Sequence, residues 1–243
     1  MGAPGFDNSP LVKIQPGPAK PVTFIYPYYQ NPGFLERHFD TWHRYPEAVK
    51  AHLSAIVVDD GSPQPAVLRG LLPFPVRLFR ITVDVRWNWL AARNIGMNYA
   101  AGWCVLTDMD HVITAEVADR LIHGVHDDGI IYRFSRREHT GEKIHPHPNS
   151  MLMTRAIFWK VGGYDEALSG HYGTDGDWRR RCAATAPVRL LPDELVRYEF
   201  VGDSSTQAYK RKQPEDAGKK AIIAKRGRGW RPRVLSFPYR EIL

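Results

Sequence analysis

Cysteine is scarce in this chain of 243 residues, and the two present, Cys104 and Cys182, have no Cys or His at metal-ligand spacing. That argues against a thiolate metal centre and predicts two buried, reduced thiols. Long apolar runs are missing too: none approaches the roughly 18 to 20 residues that a membrane span requires. The first twenty residues lack the continuous apolar core of a signal peptide and hold instead Pro4, Pro10, Pro16, Pro18 and three glycines. Such a composition predicts a flexible lead-in over residues 1–20 and a chain that stays in the cytoplasm. No internal repeat stands out, and low complexity is confined to the ends.

What is present is the balance of a globular protein, with 43% hydrophobic and 24% charged residues in a length that one domain with tails can fill. The organisation expected is a catalytic domain over residues 21–206 followed by a basic segment over 207–243. That segment holds eleven Lys and Arg against Glu215, Asp216 and Glu241, so it carries all the positive excess of a chain whose net charge is +7. Its cations are mixed with Ile222, Ile223 and Trp230, a pattern that suits a nucleic-acid backbone or an anionic membrane surface.

Periodicity sets the fold class. Pro21 to Tyr26 is a short β-rich apolar run that should stop at Pro27. Asn31-Pro32 then supplies a cap and a first-turn proline for a helix to about Tyr45. Strands are expected at Ser54 to Val58, Val76 to Ile81 and Trp103 to Thr107, with an alanine-rich helix from Asn88 to Ala101 between the last two. Beyond Ala115 the pattern predicts a helix to about His126, a strand at Ile130 to Phe134 and a polar loop from Arg136 to Pro148. Strand and helix alternating at this spacing imply an α/β fold with a mostly parallel central sheet, whose ligands bind at the carboxyl ends of the strands. Pro27-Tyr28-Tyr29, Asp59-Asp60-Gly61-Ser62 and Asp108-Met109-Asp110 leave those ends and should converge on one crevice.

The loops carry matching chemistry. Two carboxylates two residues apart at a strand exit, Asp108 and Asp110, point the same way and offer oxygens to one hard divalent ion, which in turn suits a phosphorylated substrate. Asp60 offers an acceptor for an imide N–H or a hydroxyl, and Tyr28 an aromatic face for a base. A guanidinium on the helix before the metal loop, Arg93, is placed to reach a diphosphate or a base.

In order along the chain, four blocks resemble the inverting glycosyltransferases of the GT-A (Rossmann-like) fold, most closely glycosyltransferase family 2. They are Ile56 to Ser62, Leu90 to Gly96, Asp108-Met109-Asp110, and Gly162-Gly163-Tyr164-Asp165-Glu166 followed by Gly173-Thr174-Asp175-Gly176-Asp177. The resemblance implies a sugar transferred with inversion from a nucleotide diphosphate, a UDP-sugar foremost, to a hydroxyl acceptor, with Mn2+ or Mg2+ as cofactor. It places the nucleoside on Asp60 and the Pro27-Tyr28-Tyr29 loop and gives Arg93 a role at the donor. Asp108 and Asp110 become the metal pair, Asp110 ligating directly and Asp108 reaching ribose or a metal-bound water. It makes Asp175 the base, with Asp177 as the fallback.

Two departures stand out. The family's Glu-Asp pair is Thr174-Asp175 here, and the histidine that often follows as a metal ligand is absent between Leu190 and Tyr209, where only Asp193, Glu194, Glu199 and Asp203 offer oxygens. His111 could add a ligand and the alternate histidines of His145-Pro146-His147-Pro148 could chelate, but the commoner reading of both is as solvated loop residues. The acceptor is open: a modified base in DNA, or a lipid-linked or soluble saccharide. Other classes that the pattern admits are a nucleotidyltransferase, although the first loop lacks the Gly- and Lys/Arg-rich sequence expected of one, and a non-catalytic sugar-nucleotide binding module.

Overall fold

The computed structural model describes residues 6, 8–199 and 217–243. Four parallel strands form the centre, in the order β3 (Val76–Ile81), β2 (Leu53–Asp59), β1 (Val22–Tyr28) and β4 (Trp103–Leu106). Between β1 and β2 lie α1 (Pro32–His43) and the single turn α2 (Glu47–Lys50), and α3 (Trp89–Tyr99) crosses from β3 to β4. Helix α1 begins where the Asn31 side chain accepts the Phe34 N–H at 3.4 Å, with Pro32 in the first turn, where its missing donor is not needed.

Strand β1 continues through Pro27 instead of stopping before it, and the reason is directional. The Tyr28 carbonyl faces β2, accepting the Asp60 N–H at 2.8 Å, whereas the Ile25 carbonyl faces β4 and accepts the Thr107 N–H at 3.3 Å. Pro27 shares the Ile25 side, and the β4 pairing ends at Ile25. Its missing N–H therefore removes no ladder bond. Side chains alternate accordingly: Phe24, Tyr26 and Tyr28 pack with Phe39 and Trp42 of α1 in one core, and Ile25 packs with α3 in the other. Gly96 permits that second contact, since a Cβ there would lie 2.4 Å from Ile25 Cγ2.

The remaining elements, in chain order, are β5 (His111–Val112), α4 (Ala115–His123), β6 (Ile131–Glu138), β7 (Lys143–Ile144), β8 (Met151–Thr154), α5 (Arg155–Val161), α6 (Asp175–Thr185), β9 (Val188–Arg197), α7 (Ala217–Ala224) and β10 (Tyr239–Glu241). They extend the sheet to β10-β3-β2-β1-β4-β8-β6-β9-β5, with β7 on β6. Since β8 runs antiparallel to both β4 and β6, the whole sheet is mixed and its parallel character is concentrated in the first four strands and the β6–β9 pair. The polar loop expected from Arg136 is partly strand, because Arg136 and Arg137 pair with Ile144 and Lys143 on one side and with Leu195 and Val196 on the other. A charged strand end is stable there because its side chains are only half buried.

Described segments near both termini pack on the central elements. Residues read as a flexible lead-in run along β9 and α4, with the Val12 N–H on the Leu190 carbonyl at 2.9 Å and the Val125 N–H on the Gln15 carbonyl at 2.8 Å. At the other end β10 adds to the edge of β3, and Ile222, Ile223, Leu235 and Phe237 pack on the core beside α3, α5 and α6. The boundary expected at 206/207 lies outside the described residues. Among those described, no helix is long and apolar enough to cross a membrane.

Candidate functional site

The loops after β1, β2 and β4 stand side by side at the carboxyl end of the parallel strands, and the two acids after β2 have separate fates. Asp59 accepts the Ser62 N–H at 2.8 Å and the Ala66 N–H at 2.9 Å, which closes its own loop. Asp60 is equally buried, but its Oδ1 has no hydrogen-bond partner. Burial pushes the Asp60 carboxyl well above the usual range, and Asp59 and Asp84 push it further. A buried carboxyl with an idle oxygen fits a ligand that donates an N–H or O–H to it. Of the two tyrosines expected to face a nucleoside, Tyr29 lies on the Asp84 side, its hydroxyl 3.2 Å from both Asp84 oxygens. The Tyr28 ring turns into the α1 layer, where it lines a 510 Å³ cavity with Leu35, Phe39 and Pro65.

A chain of side-chain and main-chain contacts joins the metal loop to α6. Arg93, fully buried in α3, donates to Asp108 Oδ1 at 2.5 Å, to the Asn149 carbonyl at 2.7 Å and to the Tyr164 hydroxyl at 3.0 Å. Asn149 in turn donates its side-chain N–H to Asp175 Oδ1 at 2.6 Å. Burial raises the Asp175 pKa; Asn149 opposes that rise, and Asp108 adds to it. Asp108, Arg93 and Asp175 are thus brought together, with Asn149 and Tyr164 as the members that sequence reasoning missed. Asn149 lies two residues before the strand that pairs antiparallel with β4, where Met151 lies opposite Leu106, so only the sheet topology discloses it.

Asp110 sits on the other side of the same loop. Its Oδ1 accepts from His111 Nδ1 at 2.6 Å, while Arg136 Nη1 lies 3.1 Å from His111 Nε2. A guanidinium only donates, so Nε2 accepts and Nδ1 carries the proton. Burial alone would raise the Asp110 pKa, but His111, His147 and Arg197 outweigh it and hold the carboxyl well below the usual range. Neither histidine is the solvated loop residue that the sequence suggests. His111 is fully buried, and His147 packs 4.8 Å from it, ring to ring, with Nε2 3.4 Å from Asp108 Oδ2. Within that Pro-rich loop His147 turns inward, whereas His145 is exposed as expected.

Among the described residues, no three His, Cys, Asp or Glu side chains are grouped to cage a metal ion. Asp108 and Asp110 nevertheless fit the way magnesium and manganese are held beside phosphates, by one or two carboxylates with phosphate and water oxygens completing the shell. Asp108 Oδ2 has His147 at 3.4 Å and Asp110 Oδ2 has Arg197 at 3.7 Å, both beyond good hydrogen-bond length, which leaves one oxygen of each carboxylate for an ion. Two of the acidic residues that follow Leu190 are committed elsewhere. Asp193 is bound by Arg120 at 2.5 Å, Glu194 faces Lys143 at 3.3 Å, and Asp203 lies outside the described residues.

Asp177 is not brought to this group. It is buried between Arg181 at 3.1 Å and Arg226, whose guanidinium also binds Asp165 at 2.6 Å. Burial would raise the Asp177 pKa, but Arg226 and Arg181 lower it. Glu166 is likewise structural, accepting from Asn94, the Leu235 and Ser236 N–H groups and the Ser236 hydroxyl.

No family model matches the chain, and no curated protein matches its sequence. Solved structures do resemble it. Residues 1–349 of S. aureus TarS in complex with UDP-GlcNAc superpose with a TM-score of 0.61 at 14% identity, over 78% of this chain and 61% of that one. The mannosyltransferase PcManGT from Pyrobaculum calidifontis, in complex with GDP-Man and Mn2+, gives 0.55 at 16% identity over 87% of this chain and 71% of that one. GalNAc-T7 with UDP, GalNAc and Mn2+ gives 0.55 at 13% identity over 75% and 44%. This chain therefore spans about three fifths of the TarS fragment's length, and at such identities the likeness is one of fold.

Proposed function

We propose that this chain, which has the GT-A fold, is a metal-dependent glycosyltransferase that moves a sugar from a nucleotide diphosphate, a UDP-sugar foremost, to a hydroxyl acceptor with inversion. The observation that carries the reading is the contact chain Asp108–Arg93–Asn149–Asp175, which sets a half-buried carboxylate next to a carboxylate pair suited to a metal, at the strand ends that also present Asp60. Asp60 accepts from the base or ribose, with Tyr29 beside it. Arg93 holds Asp108 in place. A divalent ion on Asp108 and Asp110, when bound, supplies a Lewis acid for the diphosphate. Asp175 takes the proton of the acceptor hydroxyl while that oxygen attacks the anomeric carbon, and the bond to the diphosphate breaks with its electron pair leaving on the phosphate oxygen. Asn149 occupies Asp175 Oδ1 and leaves Oδ2 to meet the acceptor.

A cytoplasmic setting remains the expectation, in keeping with two buried, unbridged thiols. The test is donor turnover, read as nucleoside diphosphate release across a panel of sugar nucleotides with manganese present. Asp110→Ala should abolish it while circular dichroism still shows the wild-type fold, at a melting temperature lowered by loss of the His111 contact. Wild-type turnover in that variant would remove the reading.

A further inference from the structure

Resting on the transfer reading, we infer that the acceptor is a nucleic-acid strand, bound along the cationic face that the C-terminal segment builds beside Asp175. The segment is fixed to the turn that leads into α6. Lys219 Nζ donates to the Tyr172 and Gly173 carbonyls at 2.8 and 2.9 Å, and Arg226 reaches Asp177 while its guanidinium lies 3.8 Å over the Trp230 ring. From this platform Lys225, Arg228, Arg231 and Arg233 are exposed, and among the described residues no carboxylate pairs with them. Arg180 of α6 is also exposed, its Nη1 3.8 Å from where a Gly176 side chain would begin.

Aromatic surface completes the site. Tyr172 is 46% exposed and packs 5.0 Å from Trp87, ring to ring, on the turn immediately before Thr174-Asp175. Cations that track phosphates, combined with rings on which bases stack, are the recognition elements of single-stranded or locally opened nucleic acid. A hydroxyl on a base reaches an enclosed carboxylate only when the base leaves its stack, and the exposed Tyr172 ring offers a face to receive it.

An anionic membrane is the weaker match. Surface-binding helices need an exposed apolar face, but Ile222 and Ile223 of α7 pack on the core, and among the described residues of the segment the large apolar side chains exposed are Ile242 and Leu243, outside that helix.

The test uses the full chain and labelled single-stranded and duplex oligonucleotides, with fluorescence anisotropy across a salt series and calorimetry of UDP and GDP binding in parallel. Affinity should fall steeply with salt, and Arg228→Gln with Arg231→Gln should reduce the salt slope by about 0.7 to 0.9 per cation removed while leaving nucleotide binding unchanged. Tyr172→Ala should weaken single-strand binding about 5- to 100-fold. Absence of oligonucleotide binding at low salt, unchanged affinity in the double variant, or binding to phosphatidylcholine–phosphatidylserine vesicles alone would each overturn the inference. Oligonucleotide binding without nucleotide binding would keep the surface and sink the transfer reading; nucleotide binding without oligonucleotide binding would do the reverse.

Discussion

Asp59 and Asp60 are neighbours in sequence and equally buried, yet one holds the protein together and the other works against it. Asp59 satisfies two main-chain N–H groups, so Asp59→Ala should lower stability by about 2 kcal/mol in a denaturant titration, the scale of losing charge-assisted hydrogen bonds. Asp60 has its pKa raised by burial, so its ionised form opposes folding above the unfolded-state value of about 3.9, increasingly as pH climbs toward the folded value. Asp60→Asn should therefore melt higher than wild type at neutral pH, with the gap closing in acid, and should bind nucleotide more weakly. A melting temperature lowered at neutral pH would count against this account. The raised pKa of Asp175 has a kinetic consequence: as a base it must be ionised, so the acid limb of kcat/KM should fall at a higher pH than an ordinary aspartate would set. Sequence alone marks Asp60, Arg93, Asp108, Asp110 and Asp175 as a group, but not which oxygen of each is committed elsewhere. That depends on partners such as Asn149 and His111, which no local spacing discloses.

Elements were legible where periodicity and punctuation agree, and less so where pairing decides. The strand at Val76–Ile81 and the helix after Asn31-Pro32 follow from apolar runs and caps. Strand β1 overruns Pro27 because the neighbour on that side has ended, which only the register shows. The charged half of β6 and all of β9 escaped notice because a half-exposed strand carries no apolar run to mark it. Packing between elements makes its own prediction. Gly96→Ala should lower stability by about 1 to 3 kcal/mol, because its methyl would push α3 off Ile25 of β1 within the motif that carries Arg93. Replacing Gly70, whose Cβ position is open, is constrained only by its positive φ and provides a comparison site.

At the scale of the molecule, the sequence sets the basic C-terminal segment apart, and its described part, residues 217–243, packs on the elements around α3, α5 and α6. Arg226 neutralises Asp165 and Asp177, while the Arg233, Leu235 and Ser236 N–H groups bind Asp165 and Glu166. Arg226→Ala would leave two buried carboxylates short of a counter-charge and should cost about 3 kcal/mol, measured by denaturant unfolding. Because the Asp177 pKa is lowered in the folded state, its stabilising contribution is present above the unfolded-state value and is lost as pH falls through the folded one. The wild-type advantage over Arg226→Ala should shrink in acid accordingly. These contacts also mean that deleting the segment would unbalance the core, so charge-neutralising substitutions are the proper probe of its outer face.

Sugar transfer through Asp175 is most directly tested by pairing turnover with binding in Asp175→Asn. The amide retains shape and cannot take a proton, so the variant should bind UDP or GDP with the wild-type dissociation constant while nucleoside diphosphate release from the donor, with acceptor present, drops at least about 100-fold. Turnover equal to wild type, with binding intact, would contradict the assignment of the base and with it the proposed reaction geometry.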